Sequence, residues 1–125
     1  MHKSSTWNLH LIAGLLLVVL LGIHMITTHL DLILTWFNIE KGKPGVEWAN
    51  VIHRGQQISW MVFYIVFLGT ALFHGLYGLR TIIFELGVKR EKQKLITALF
   101  VIIWLGLFTI GTLAAITFRS VAMGA

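Results

Sequence analysis

Three long apolar stretches, nearly free of charge, alternate with short polar segments along this chain. They cover residues 7–37, 58–86 and 95–118. A helix that crosses a bilayer needs about 20 predominantly apolar residues. Each stretch therefore predicts one transmembrane helix. The first stretch ends in interfacial types, Asp31 and Thr35, so its helix is expected to run past the hydrocarbon. It lacks a small-residue cleavage site and is too long for the apolar core of a signal peptide. Pro44 and Gly45 mark a turn after it. Residues 46–58 predict a short amphipathic helix on the outer surface. The expected fold class is an all-α membrane protein, with residues 1–125 forming a single transmembrane domain.

Composition agrees with that pattern. The chain has 125 residues, 57% of them hydrophobic, and a mean hydropathy of +0.82. Soluble domains of this length do not carry so much apolar surface. With no Cys, the chain can form no disulfide, thiolate ligand or iron–sulfur cluster of its own. It is also too small to enclose a large cofactor alone. The net charge of +5 could point to nucleic acid. That reading is set aside, because the basic residues gather at the ends of apolar runs. Four of the ten Lys and Arg residues lie in the loop 88–94. The positive-inside rule puts that loop and the N-terminus in the cytoplasm, and residues 38–57 and the C-terminus outside. Trp7, Trp36, Trp48 and Trp60 fall near the expected interfaces, where indole rings prefer to lie.

Two histidines, His24 and His74, sit deep in adjacent apolar runs, with no carboxylate at comparable depth. An ionisable side chain inside a membrane is costly, so each marks a candidate functional site. Imidazole is a common axial ligand of haem iron, and haem fits such a pair better than zinc or a carboxylate-bound di-iron centre. The opposing reading is that each ring only hydrogen-bonds a neighbouring helix. Gly75 and Gly78 remove bulk beside His74, which suits a flat ligand or close helix packing. Arg80 is placed to pair with a haem propionate or to snorkel to headgroups. His29 lies about 140° around the helix from His24, so it is a weaker ligand candidate. Thr28 and Asp31 share the face of His24. His53 and Arg54 begin the second span and are further propionate candidates. Trp7 and His10 begin the first. The third span has no ionisable residue between Lys94 and Arg119. Its Gly106, Thr109, Gly111, Thr112 and Ala115 suit helix packing. No phosphate loop, catalytic carboxylate pair or nucleophile elbow occurs.

The stretch Gly14-LLLVVLLGI-His24-Met25 resembles the first helix of the cytochrome b membrane anchors of succinate:quinone oxidoreductases and quinol:fumarate reductases. His74-Gly-Leu-Tyr-Gly78-Leu-Arg80 resembles that family's second-helix ligand motif. The resemblance is close over about 35 residues and implies a set of further expectations. His74 would ligate a haem b nearer the cytoplasm, opposite a histidine of a second, related anchor subunit. His24 would ligate an outer haem in the dihaem types, with Gly14 preceding it. Iron–sulfur and flavoprotein subunits would dock on the cytoplasmic face of a prokaryotic inner membrane. Electrons would pass between their clusters and a membrane quinone, while the dicarboxylate chemistry stays with another chain. The alternatives are a haem-free structural anchor and a b-type cytochrome of another quinone-linked complex. Two departures from the family pattern bear on quinone. A His-Arg-x-Ser-Gly stretch is replaced by His10-Leu-Ile-Ala13-Gly14, and an Asp-Tyr pair by Glu85-Leu86. Trp7, His10 and Glu85 are the quinone candidates that remain. Asp31, Glu40 and Glu47 are the candidates for proton handling.

Overall fold

The computed structural model describes residues 5–37 and 45–124, the side chains of Asp31 and Thr35 excepted. Glu40 and Pro44 lie outside the described residues. Four helices follow in chain order: α1 (Ser5–Trp36), α2 (Trp48–Gln56), α3 (Ile58–Glu85) and α4 (Arg90–Gly124). No strand occurs among the described residues. α1, α3 and α4 are each long and apolar enough to cross a bilayer. The protein is therefore an all-α integral membrane protein with the three spans that its hydropathy predicts. Lipid offers no partner to a backbone amide, and a helix satisfies those groups internally.

Local chemistry sets the breaks between helices. Gln57 ends α2 and begins α3 in an extended conformation, with φ −85° and ψ 125°. Its N–H donates to the Arg54 carbonyl at 3.1 Å, and its own carbonyl accepts from Met61 at 3.3 Å. α3 stops where Gly87 takes φ +88°, and the Gly87 N–H donates to the Phe84 carbonyl at 3.2 Å. A left-handed residue after a helix end favours glycine, which has no Cβ to clash. α4 is longer than its apolar stretch, beginning at Arg90 rather than 95 and ending at Gly124 rather than 118. Its first turns are built from Arg, Glu, Lys and Gln, which are good helix formers although polar.

α3 is the central span, packed against both α1 and α4; among the described residues α1 and α4 make no close backbone contact. At the end of the bundle away from the 86–89 turn, α2 folds onto α4. The Gln56 amide donates to the Ala122 carbonyl at 3.0 Å, and the Arg54 guanidinium donates to the Gly45 carbonyl at 2.7 Å. Among the described residues only Ala13, Leu20, Thr28 and Ala122 are buried. Leu15 and Val18 are 71% and 70% exposed. Spans that are apolar all round and so little covered by one another require lipid or other protein around them.

Candidate functional site

α1 and α3 run antiparallel, and their contact is built on one pattern used twice. Each carries a histidine followed four residues later by a glycine: His10 and Gly14, His74 and Gly78. Residues four apart share a helix face, so each helix presents a ring beside a gap. The two helices exchange them. A Cβ on Gly14 would lie 2.8 Å from Cε1 of His74, and one on Gly78 would lie 3.4 Å from Cε1 of His10. The two imidazoles thereby stack face to face, with centroids 4.2 Å apart and planes 7° from parallel. Tyr77 and Trp7 extend the cluster, at 5.0 Å and 5.9 Å from the His10 ring.

One hydrogen bond fixes the chemistry of His74. Its Nδ1 lies 3.2 Å from the backbone carbonyl oxygen of His10. A carbonyl only accepts, so Nδ1 carries the proton and donates. The neutral ring then keeps its lone pair on Nε2. Metal-bound histidines are oriented in this way, with the second nitrogen donating to a carbonyl or carboxylate. The residues present thus suit an axial imidazole. Among the described residues no three His, Cys, Asp or Glu side chains gather at one point. Each histidine can supply one ligand.

His24 occupies a separate level. Its ring packs against Phe67 at 5.5 Å and edge-on to Tyr64 at 6.0 Å. Its Nδ1 is buried and has no hydrogen-bond partner among the described residues. The carbonyl of His24 accepts from the hydroxyls of Thr28 at 2.7 Å and Thr27 at 3.0 Å. Thr28 thus spends its proton on its own helix. His74 lies about 4 Å from the middle of α3, toward the 86–89 turn. His24 lies about 5 Å from the middle of α1, toward the opposite end. The two are thus distributed to opposite halves of the bundle.

The other candidates are dispersed. Arg80 turns to α4, donating from Nε to the Thr97 hydroxyl at 2.9 Å, with Cζ 4.2 Å from the Phe84 ring centroid. Gly75 has open space beside it. His53 is exposed on α2, its Nδ1 3.4 Å from the Gln57 amide, while Arg54 is tied to Gly45. Glu85 is the exposed last residue of α3, and Glu47 occupies the position just before α2. His29 is half-buried on α1. Glu40 and the side chain of Asp31 lie outside the described residues. Sequence reasoning gave His10 only a weak quinone role and missed its pairing with His74. The signal was present as the repeated His-x-x-x-Gly spacing on two neighbouring spans.

Comparison with known proteins adds the family context. The model of the succinate dehydrogenase/fumarate reductase transmembrane subunit family matches residues 1–112. A succinate dehydrogenase hydrophobic membrane anchor subunit from Thermoplasma acidophilum is 24% identical over 105 residues, covering 84% of this chain and 78% of that protein. A protein of the same description from Archaeoglobus fulgidus is 26% identical over 109 residues, covering 87% and 85%. No solved structure matches significantly.

Proposed function

The chain belongs to the succinate dehydrogenase/fumarate reductase transmembrane subunit family, and from that membership we propose that it is a haem b-binding anchor of a succinate:quinone or quinol:fumarate oxidoreductase. In this reading it pairs with a second, related anchor in a prokaryotic inner membrane, with its N-terminus in the cytoplasm. It holds iron–sulfur and flavoprotein subunits at the cytoplasmic face and relays electrons between their clusters and a membrane quinone.

The observation that supports the reading is the His74 hydrogen bond to the His10 carbonyl, which places the ring proton on Nδ1 and the lone pair on Nε2. Haem b, when bound, supplies a one-electron carrier whose potential follows its axial ligands and its burial. The chain's own residues prepare the ligand. The His10 carbonyl fixes the tautomer of His74. The His10 ring and the gap at Gly14 fix its plane. Trp7 and Tyr77 pack beside the His10 ring at that end. His24 is the ligand for a second haem in the other half. Arg80, and Arg54 with His53, are the cations available to propionates. Trp7, His10 and Glu85 lie toward the end bearing the 86–89 turn and are the quinone candidates. Asp31, Glu40 and Glu47 follow His24 in sequence and are the proton-handling candidates.

Replacing His74 with Ala in the intact complex should lower the reduced-minus-oxidised haem α-band per flavin. An unchanged band in a fully assembled complex rejects ligation by His74. One observation favours a second reading, a haem-free structural anchor: the His74 ring already has a stacking partner and a hydrogen bond within the chain. The same spectrum decides between the two.

A further inference from the structure

We propose that the α3–α4 cleft beside the 86–89 turn binds an anionic phospholipid, with its phosphate on Arg80, Arg90 and Lys94 and an acyl chain along the cleft. Two adjoining hollows make the site. A cleft of about 410 Å³ has apolar walls that include Phe73, Leu76, Phe100 and Val101. A groove of about 540 Å³ at its mouth is lined by Arg80, Arg90 and Lys94, and no carboxylate lines it. Arg80 and Thr97 belong to both hollows. From Arg80 to Phe73 the cleft runs seven residues along α3, about 10 Å. A headgroup at the mouth therefore continues directly into an acyl chain between the helices.

Electrostatics favours an anion at that mouth. Only the Nε–H of Arg80 is committed, to Thr97. Its terminal N–H groups have no partner among the described residues, and a guanidinium has five donors. Arg90, Lys92 and Lys94 open α4, where the helix dipole itself disfavours cations. A phosphate there would gain from both the side chains and the dipole. A quinone is the competing occupant, because Trp104 lines the cleft and its indole N–H is buried without a partner among the described residues. A quinone headgroup is uncharged, however, and leaves three cations unmatched.

The test uses the intact complex after delipidation in detergent. Phosphatidylglycerol and phosphatidylcholine are added separately, and native mass spectrometry reads what is retained. We expect phosphatidylglycerol to be held and phosphatidylcholine to be lost. Each basic side chain near an anionic headgroup is worth about fivefold, so Arg90→Gln with Lys94→Gln should weaken retention roughly 25-fold. Val101→Trp fills the cleft and should weaken retention as well, which keeps the test open if the double variant does not assemble. Equal retention of the two lipids, or retention unchanged in the assembled variants, overturns the proposal. So does displacement of phosphatidylglycerol by inorganic phosphate at equal concentration, or by a short-chain quinone.

Discussion

A methyl group on Gly14 would sit 2.8 Å from Cε1 of His74 and 3.3 Å from its Nδ1. The ring cannot easily give way, because His10 is stacked on its face and the His10 carbonyl holds Nδ1. Gly22, on the same helix, has nothing within 4 Å of its would-be Cβ. The two glycines should therefore respond with opposite sign to the same change. Gly22→Ala removes a flexible residue from a helix and should be neutral or stabilising by about 0.5–1 kcal/mol. Gly14→Ala overpacks a filled contact and should cost about 1–3 kcal/mol. Thermal denaturation of the purified complex, with the haem α-band followed in parallel, checks both. Comparable midpoints for the two variants would remove the packing argument for Gly14. His24 and His74 were legible in the sequence, because imidazoles are conspicuous in apolar runs. The exchange of His10 and His74 across the interface was not. It joins residues 64 apart, and no local periodicity carries such a pairing.

Helix lengths were legible only as far as hydropathy reports them. The apolar stretches locate α1, α3 and α4, but hydropathy measures the thickness of the hydrocarbon and not the length of the helix. α4 continues through polar helix formers at its start. Past Phe118 it is held by α2. Gly55 stands where a Cβ would meet Cε1 of Phe118 at 2.5 Å and Cβ of Ala122 at 3.0 Å, and Gln56 bonds the Ala122 carbonyl. The amphipathic segment expected at 46–58 is thus a clamp on α4 as well as a surface helix. Gly55→Leu should lift α2 from α4 and free residues 119–124. Hydrogen–deuterium exchange of the complex should then show faster exchange in the peptide spanning those residues, with the α1–α3 contact unchanged. Protection equal to the parent would mean that α4 holds its own end without α2.

Across the whole molecule, the spans set the two candidate ligands at two separate levels. Gly14, against which His74 rests, lies ten residues from His24 on α1, about 15 Å along the axis. The rings have no neighbour in common: His74 meets His10, while His24 meets Tyr64 and Phe67. At that separation they cannot serve the same iron, so if both are ligands each would need its own opposing ligand. The sparse burial of all three spans leaves ample apolar surface for a neighbouring chain. Among the described residues Nδ1 of His24 has no partner, so this ring lacks the second-nitrogen hydrogen bond that orients His74. If His24 holds a second haem, His24→Ala should halve the haem-to-flavin ratio of the intact complex and leave the His74 haem spectrum in place. If it serves only as a helix contact, the ratio stays at its parental value while the thermal midpoint shifts. Haemochrome and flavin assays on one preparation separate the two outcomes, because a change in packing does not alter the haem count of a complex that still assembles.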